Sequence, residues 1–225
     1  RPAARASSLR LSRTLTARGP WPPEAPVFVL APGASNKPCP LARSCLSRLG
    51  EVREFAYPGA GTPNLVGRRE ECLAAHLAAV QAAAAATPGR PLWLAGVSFG
   101  SRCAAELLGT DAALPPAVRG LLAFGYPLVA LGDQREPDPS KRKQDRTLPL
   151  LALPQSRPVL LVSSEGDPFL GGDRGAALRS TAVKMKAPCR IVLLAGRDHN
   201  PVTPASQEAV LSAVEAFLGE SGDAA

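Results

Sequence analysis

Ser98 stands in Gly96-Val97-Ser98-Phe99-Gly100, between an apolar run (Pro91 to Ala95) and an Ala/Leu-rich run (Cys103 to Leu108). Strand, sharp turn and helix in that order give a Gly-x-Ser-x-Gly its meaning: the serine hydroxyl projects at the tip of the turn as a nucleophile. Glycines at 96 and 100 let strand and helix come close. The alternative is an ordinary Gly/Ser turn, so the partners decide. A hydroxyl needs a base to take its proton, and the chain has two histidines. His76, between Ala75 and Leu77 in an alanine-rich run, reads as a surface or satisfied helix residue. His199 follows an apolar run and precedes the last helix-like segment, where a base belongs. Asp167, in Gly166-Asp-Pro-Phe169, completes the order Ser98, Asp167, His199, and an acid there orients the imidazole and stabilises its charged form. Asp198 is the rival acid. It is disfavoured because a neighbour in sequence rarely turns its carboxylate to the ring Nδ1. The chemistry is acyl transfer to serine, which also needs two N–H donors for the oxyanion. Phe99 supplies one, and Ala34 in Pro32-Gly-Ala-Ser35 is the best candidate for the other, since Pro32 has no N–H and Gly33 allows close approach.

The elements that must position these residues alternate. Apolar runs at Val27–Ala31, the Trp93 segment, Val118–Phe124, Pro158–Ser163 and Arg190–Leu194 read as strands, and so does Glu51–Tyr57, which alternates. Leu41–Leu49, Arg68–Ala86, the segment after Ser98, Gly175–Met185 and Ser206–Leu218 read as helices, the last with Val210, Leu211, Val214 and Phe217 on one face. Pro58–Pro63 reads as a loop and Gly132–Arg146 as a polar excursion on the surface. This pattern predicts an α/β fold, a mostly parallel sheet of about six or seven strands with helices on both faces.

Composition sets the bounds. The 225 residues, 45% hydrophobic and 20% charged, suit one globular domain with a sizeable core. No apolar run approaches a membrane span. Net charge is +7, but Arg1, Arg5, Arg10, Arg13 and Arg18 precede the first acid, Glu24, which leaves +2 for the rest. The basic balance is thus a property of the tail, and with aromatics at 4% it argues against nucleic acid binding by the folded domain. Residues 1–25 read as a disordered basic tail or part of an organellar transit peptide, which would place the protein in a plastid or mitochondrion and otherwise in the cytoplasm. The domain is expected over 26–220. Five scattered cysteines without a Cys-x-x-Cys pair read as reduced, small hydrophobes rather than a metal site or disulfide framework. The chemistry calls for no metal and no cofactor.

Four stretches carry a resemblance: Leu30-Ala-Pro-Gly-Ala34, Gly96-Val-Ser-Phe-Gly-Ser-Arg-Cys-Ala104, Phe124-Gly-Tyr-Pro-Leu128 and Gly166-Asp-Pro-Phe169. Over roughly Val27 to Leu218 the chain resembles the α/β-hydrolase-like domain of testis-expressed protein 30 and the third subunit of the NSL histone-acetyltransferase complex, within the dienelactone-hydrolase-like α/β-hydrolases. Tyr126-Pro-Leu128, followed by a polar segment ending near Arg146-Thr-Leu148, is its most specific part. The family commonly has His-Gly where this chain has Pro32-Gly33, and often a second Gly where Ser101 stands. The resemblance implies the fold and leaves two functions open. One is a serine hydrolase for an ester, thioester or similar acyl bond, acting through Ser98, His199 and Asp167 on a small or partly exposed substrate, since Pro127–Arg146 is too short for a large lid. The other is a non-catalytic protein-interaction domain on the same fold.

Overall fold

A computed structural model describes residues 21–58, 66–110, 114–130, 132–133 and 145–222. The basic segment Arg1–Pro20, all but the first residue of the Pro58–Pro63 loop, and the middle of the Gly132–Arg146 excursion lie outside the described residues.

Six strands form one sheet: β1 (Val27–Ala31), β2 (Glu51–Glu54), β3 (Leu92–Val97), β4 (Val118–Phe124), β5 (Val159–Ser164) and β6 (Cys189–Leu194). All pairings are parallel, in the order β2-β1-β3-β4-β5-β6. The helices are α1 (Pro40–Leu46), α2 (Arg69–Ala86), α3 (Phe99–Thr110), α4 (Leu148–Leu151), α5 (Ala176–Lys184) and α6 (Gln207–Gly222). The sheet is covered on both faces, so its central strands carry near-continuous apolar runs rather than alternating. Val27, Val29, Leu92, Leu94, Leu121, Ala123, Val159 and Leu161 face α2, α3, α4 and α5. The intervening Phe28, Leu30, Trp93, Ala95, Leu122, Phe124, Leu160 and Val162 face α1 and α6. The expected stripe of α6, Val210, Leu211, Val214 and Phe217, is buried against that second face. No helix among the described residues is long and apolar enough to cross a membrane. All five cysteines are free thiols.

Three expectations need correction. The second strand stops at Glu54 instead of running to Tyr57, because its partner β1 gives way to Pro32, which has no N–H to extend the ladder. The Asn36 side chain takes over: its Oδ1 accepts from the Tyr57 N–H and its Nδ2 donates to the Tyr57 carbonyl, both at 2.9 Å. Asp133 and Arg146, read as surface positions, are buried at 5% and 9% exposure. The Arg146 guanidinium donates to the Val129 carbonyl, and its own carbonyl accepts from the Tyr126 hydroxyl at 2.8 Å. These bonds tie the Tyr-Pro-Leu segment to the far end of the excursion. His76 is neither exposed nor fully satisfied. It lies on the buried stripe of α2 with Cys72, Val80 and Ala83. Its ring packs on Phe55, its Nδ1 is 3.5 Å from the Tyr57 hydroxyl, and its Nε2 has no partner among the described residues.

Burial holds the His76 pKa down to about 3, against an ordinary 6.5. Unfolding therefore takes up a proton at every pH between those values, so stability rises with pH across that window. His76 alone contributes a loss of about 1.4 kcal/mol for each pH unit below about 6.5. Urea unfolding of the wild type and His76→Phe from pH 7 to 5 is expected to give a shallower pH slope for the variant. Parallel curves would refute the assignment.

Candidate active site

Ser98 closes the turn between β3 and α3 with a left-handed φ of +52°. Such a backbone costs a non-glycine residue about 1–3 kcal/mol and persists only where its surroundings over-determine it. Here they do. The Ser98 N–H donates to the Phe124 carbonyl at 2.9 Å, and its carbonyl accepts from the Ser101 N–H at 3.0 Å and the Ser101 hydroxyl at 2.6 Å. Ser101 thus braces the turn. A Cβ on Gly96 would stand 2.4 Å from the Ser101 nitrogen, and one on Gly100 would stand 2.5 Å from the Pro32 oxygen. Both contacts are with backbone, so neither position has room for a side chain.

His199 and Asp167 arrive from the ends of β6 and β5. Asp167 N-caps a one-turn 3-10 helix, Pro168–Leu170, and its Oδ1 accepts from the Phe169 N–H at 2.8 Å. That bond fixes the carboxylate, whose side chain is fully enclosed. The His199 Nδ1 lies 2.9 Å from Asp167 Oδ2 and 3.1 Å from Oδ1, and its Nε2 lies 2.7 Å from the Ser98 hydroxyl oxygen. A carboxylate accepts, so the Nδ1 carries the proton and the Nε2 lone pair accepts from the serine O–H. Asp198, the rival acid, is exposed. The imidazole is a quarter exposed, open to an incoming substrate.

The loop after β1 runs alongside. A Cβ on Gly33 would stand 3.7 Å from the Ser98 Cβ, and Ala34 follows in a turn closed by the Asn36 N–H on the Gly33 carbonyl. Phe99 opens α3, so its N–H has no partner within the helix. Its ring packs edge-on against Tyr57, with centroids 5.7 Å apart.

Three contributions escaped the sequence reading. Asn36, at φ +54°, clamps the β1 loop to Tyr57. Phe169 lays its ring on His199, with centroids 4.1 Å apart. Gly125, at φ +63°, leaves room for the His199 carbonyl, which a Cβ would meet at 2.1 Å. The glycine in Phe124-Gly-Tyr-Pro-Leu128 was the one available signal for the last of these. A separate groove of about 710 Å³ lies at the opposite end of the sheet, among Pro26, Pro91, Trp93, Pro158, Pro188 and Phe217. Its lining includes none of the residues around Ser98, so volume alone does not locate the chemistry.

Residues 54–215 match the sequence model of an alpha/beta hydrolase domain. The chain belongs to the α/β-hydrolase family. No curated protein matches it in sequence. Among solved structures it is similar to one from the metagenome-derived lipolytic enzymes LipS and LipT, with a TM-score of 0.65, 14% identity, and 88% of this chain and 94% of that one covered. It is similar to ferulic acid-bound Est1E from Butyrivibrio proteoclasticus, at a TM-score of 0.64, 17% identity, and coverage of 89% and 90%. Dienelactone hydrolase from Anabaena variabilis gives 0.63, 15%, and coverage of 88% and 87%. At these identities the likeness speaks to the fold. Family membership supports a hydrolase in general.

Gly125→Ala is expected to be more disruptive than its size suggests, since the new methyl meets a backbone oxygen and the φ is left-handed. Urea unfolding should show a loss of about 1–3 kcal/mol. A variant as stable as the wild type would show that the His199 loop is not held against this glycine.

Proposed function

We propose that this protein is a serine hydrolase that cleaves an ester, thioester or similar acyl bond through an acyl-enzyme. The observation that carries the reading is the unbroken chain from the Ser98 hydroxyl to the His199 Nε2 at 2.7 Å and from Nδ1 to Asp167 at 2.9 Å. Ser98 Oγ bonds to the acyl carbon as its proton passes to Nε2. The imidazolium then gives that proton to the leaving group as the acyl bond breaks. Water repeats the sequence on the acyl-serine and releases the acid. Asp167 keeps the Nδ1 proton in place and stabilises the imidazolium without taking the proton itself. The N–H groups of Phe99 and Ala34 receive the oxyanion. The dipole of α3, whose positive end lies at Phe99, favours negative charge there. In this reading the left-handed turn at Ser98 is a nucleophile elbow, and the Asn36 clamp holds the second donor loop at its working distance. The narrower kinship with the testis-expressed protein 30 group rests on the sequence of the Tyr-Pro-Leu segment, to which the bond between Tyr126 and Arg146 gives a structural task.

A fluorophosphonate probe tests this. The wild type is expected to label, and Ser98→Ala and His199→Ala are expected to lose labelling entirely. Asp167→Asn, which leaves the ring without its orienting acceptor, should slow labelling by about 10³–10⁴-fold. A folded wild type that does not label would overturn the reading in favour of a non-catalytic interaction domain.

A further inference from the structure

Phe169 is half-buried, and its ring covers one face of the His199 imidazole, with centroids 4.1 Å apart and planes inclined at 36°. Its backbone is held on both sides. The N–H donates to Asp167 at 2.8 Å and the carbonyl accepts from the Val129 N–H at 3.0 Å. The same residue thus fixes the carboxylate with its N–H and meets the imidazole with its side chain. An aromatic face carries the negative lobe of the ring quadrupole and attracts a cation within about 6 Å. The imidazole is neutral while it waits for the serine proton and cationic once it holds it. An attraction that strengthens only when the charge develops favours the transition state over the ground state.

We propose that Phe169 is a positioning residue whose ring face stabilises the His199 imidazolium during acyl transfer. The proposal rests on the reading of Ser98 as nucleophile and His199 as base. It sets the aromatic ring apart from an aliphatic side chain of similar bulk, which would pack on the imidazole but offer no negative face.

The test uses the full-length protein and the second-order rate of labelling by a fluorophosphonate probe. In that step Ser98 Oγ bonds to phosphorus, the P–F bond breaks, and fluoride leaves with the bonding pair. The serine proton passes to His199 Nε2 and from there to water. Mono-, di- and trifluorinated phenylalanine at position 169 preserve the ring's shape while draining its negative face. Labelling is expected to slow with each added fluorine, reaching about two- to fivefold below the wild type, the range expected of a partly exposed cation–π contact. Phe169→Tyr should stay near the wild-type rate, and Phe169→Leu should fall by a similar factor at an unchanged melting temperature. A flat fluorine series on a wild type that labels would overturn this proposal alone. A folded wild type that does not label would overturn the hydrolase reading and this proposal with it. Should Phe169→Leu fail to fold, the fluorinated series still decides.

Discussion

The molecule turns on a place where two backbones touch. At Gly100 the first turn of α3 lies so close to the end of β1 that a Cβ would meet the Ala31 oxygen at 2.7 Å and the Pro32 oxygen at 2.5 Å. That approach sets Ser98 beside the β1 loop, and it happens where the strand order reverses. β1 sends the chain outward to β2, while β3, on its other side, sends it the opposite way to β4. In open parallel sheets the crevice at such a reversal is where ligands bind, because the loops leaving the two strands diverge. Here one of those loops carries Gly33 and Ala34 and the other carries Ser98. Where the two backbones meet, Gly100 has no room for a side chain of any kind.

Distance explains the rest of the arrangement. His199 leaves β6, three strands from β3, and strands lie about 4.8 Å apart. The imidazole must therefore be carried back roughly 14 Å across the ends of β5 and β4. The chain is supported along the way. The Glu165 N–H donates to Leu194 and the Gly166 N–H donates to Gly196, at 2.9 and 2.8 Å, so the loops after β5 and β6 travel together. At β4 the His199 carbonyl settles against Gly125. Asp167 is met halfway. Its carboxylate, out of reach of water, is balanced by a backbone N–H on one side and the imidazole on the other. A buried carboxylate without such partners would be costly.

The sequence made legible whatever rests on short spacing or chain order. Gly96, Ser98 and Gly100 mark the turn within five residues, and Asp167 and His199, next in chain order, are brought to it. The apolar runs announced the parallel sheet because strands covered on both faces tolerate few polar residues. What stayed hidden were contacts between residues distant in sequence and ordinary in type. Nothing near Asn36 says that its amide will stand in for a strand 21 residues away. Nothing near Phe169 says that its ring will lie on His199 rather than in the core. Asp133 and Arg146 read as surface residues because charge usually is, and only their bonded partners inside the fold bring them in. His76 misled for the opposite reason: an alanine-rich helix has too little contrast between faces to show which one is buried.

The two histidines show what burial and bonding each do to the same side chain. His76 is enclosed on all sides, its Nε2 meets no partner among the described residues, and desolvation holds it neutral down to about pH 3. Such a ring can neither reach a leaving group nor accept a charge at neutral pH, whatever its neighbours. His199 has a partner at each nitrogen and a quarter of its side chain open. An acceptor at Nδ1 and a donor at Nε2 define, in the proposed hydrolase, a direction for the proton in the plane of the ring, from serine to Nε2, and the opening gives it somewhere to go. A base needs that direction and that exit together, and in this chain one of the two imidazoles has them.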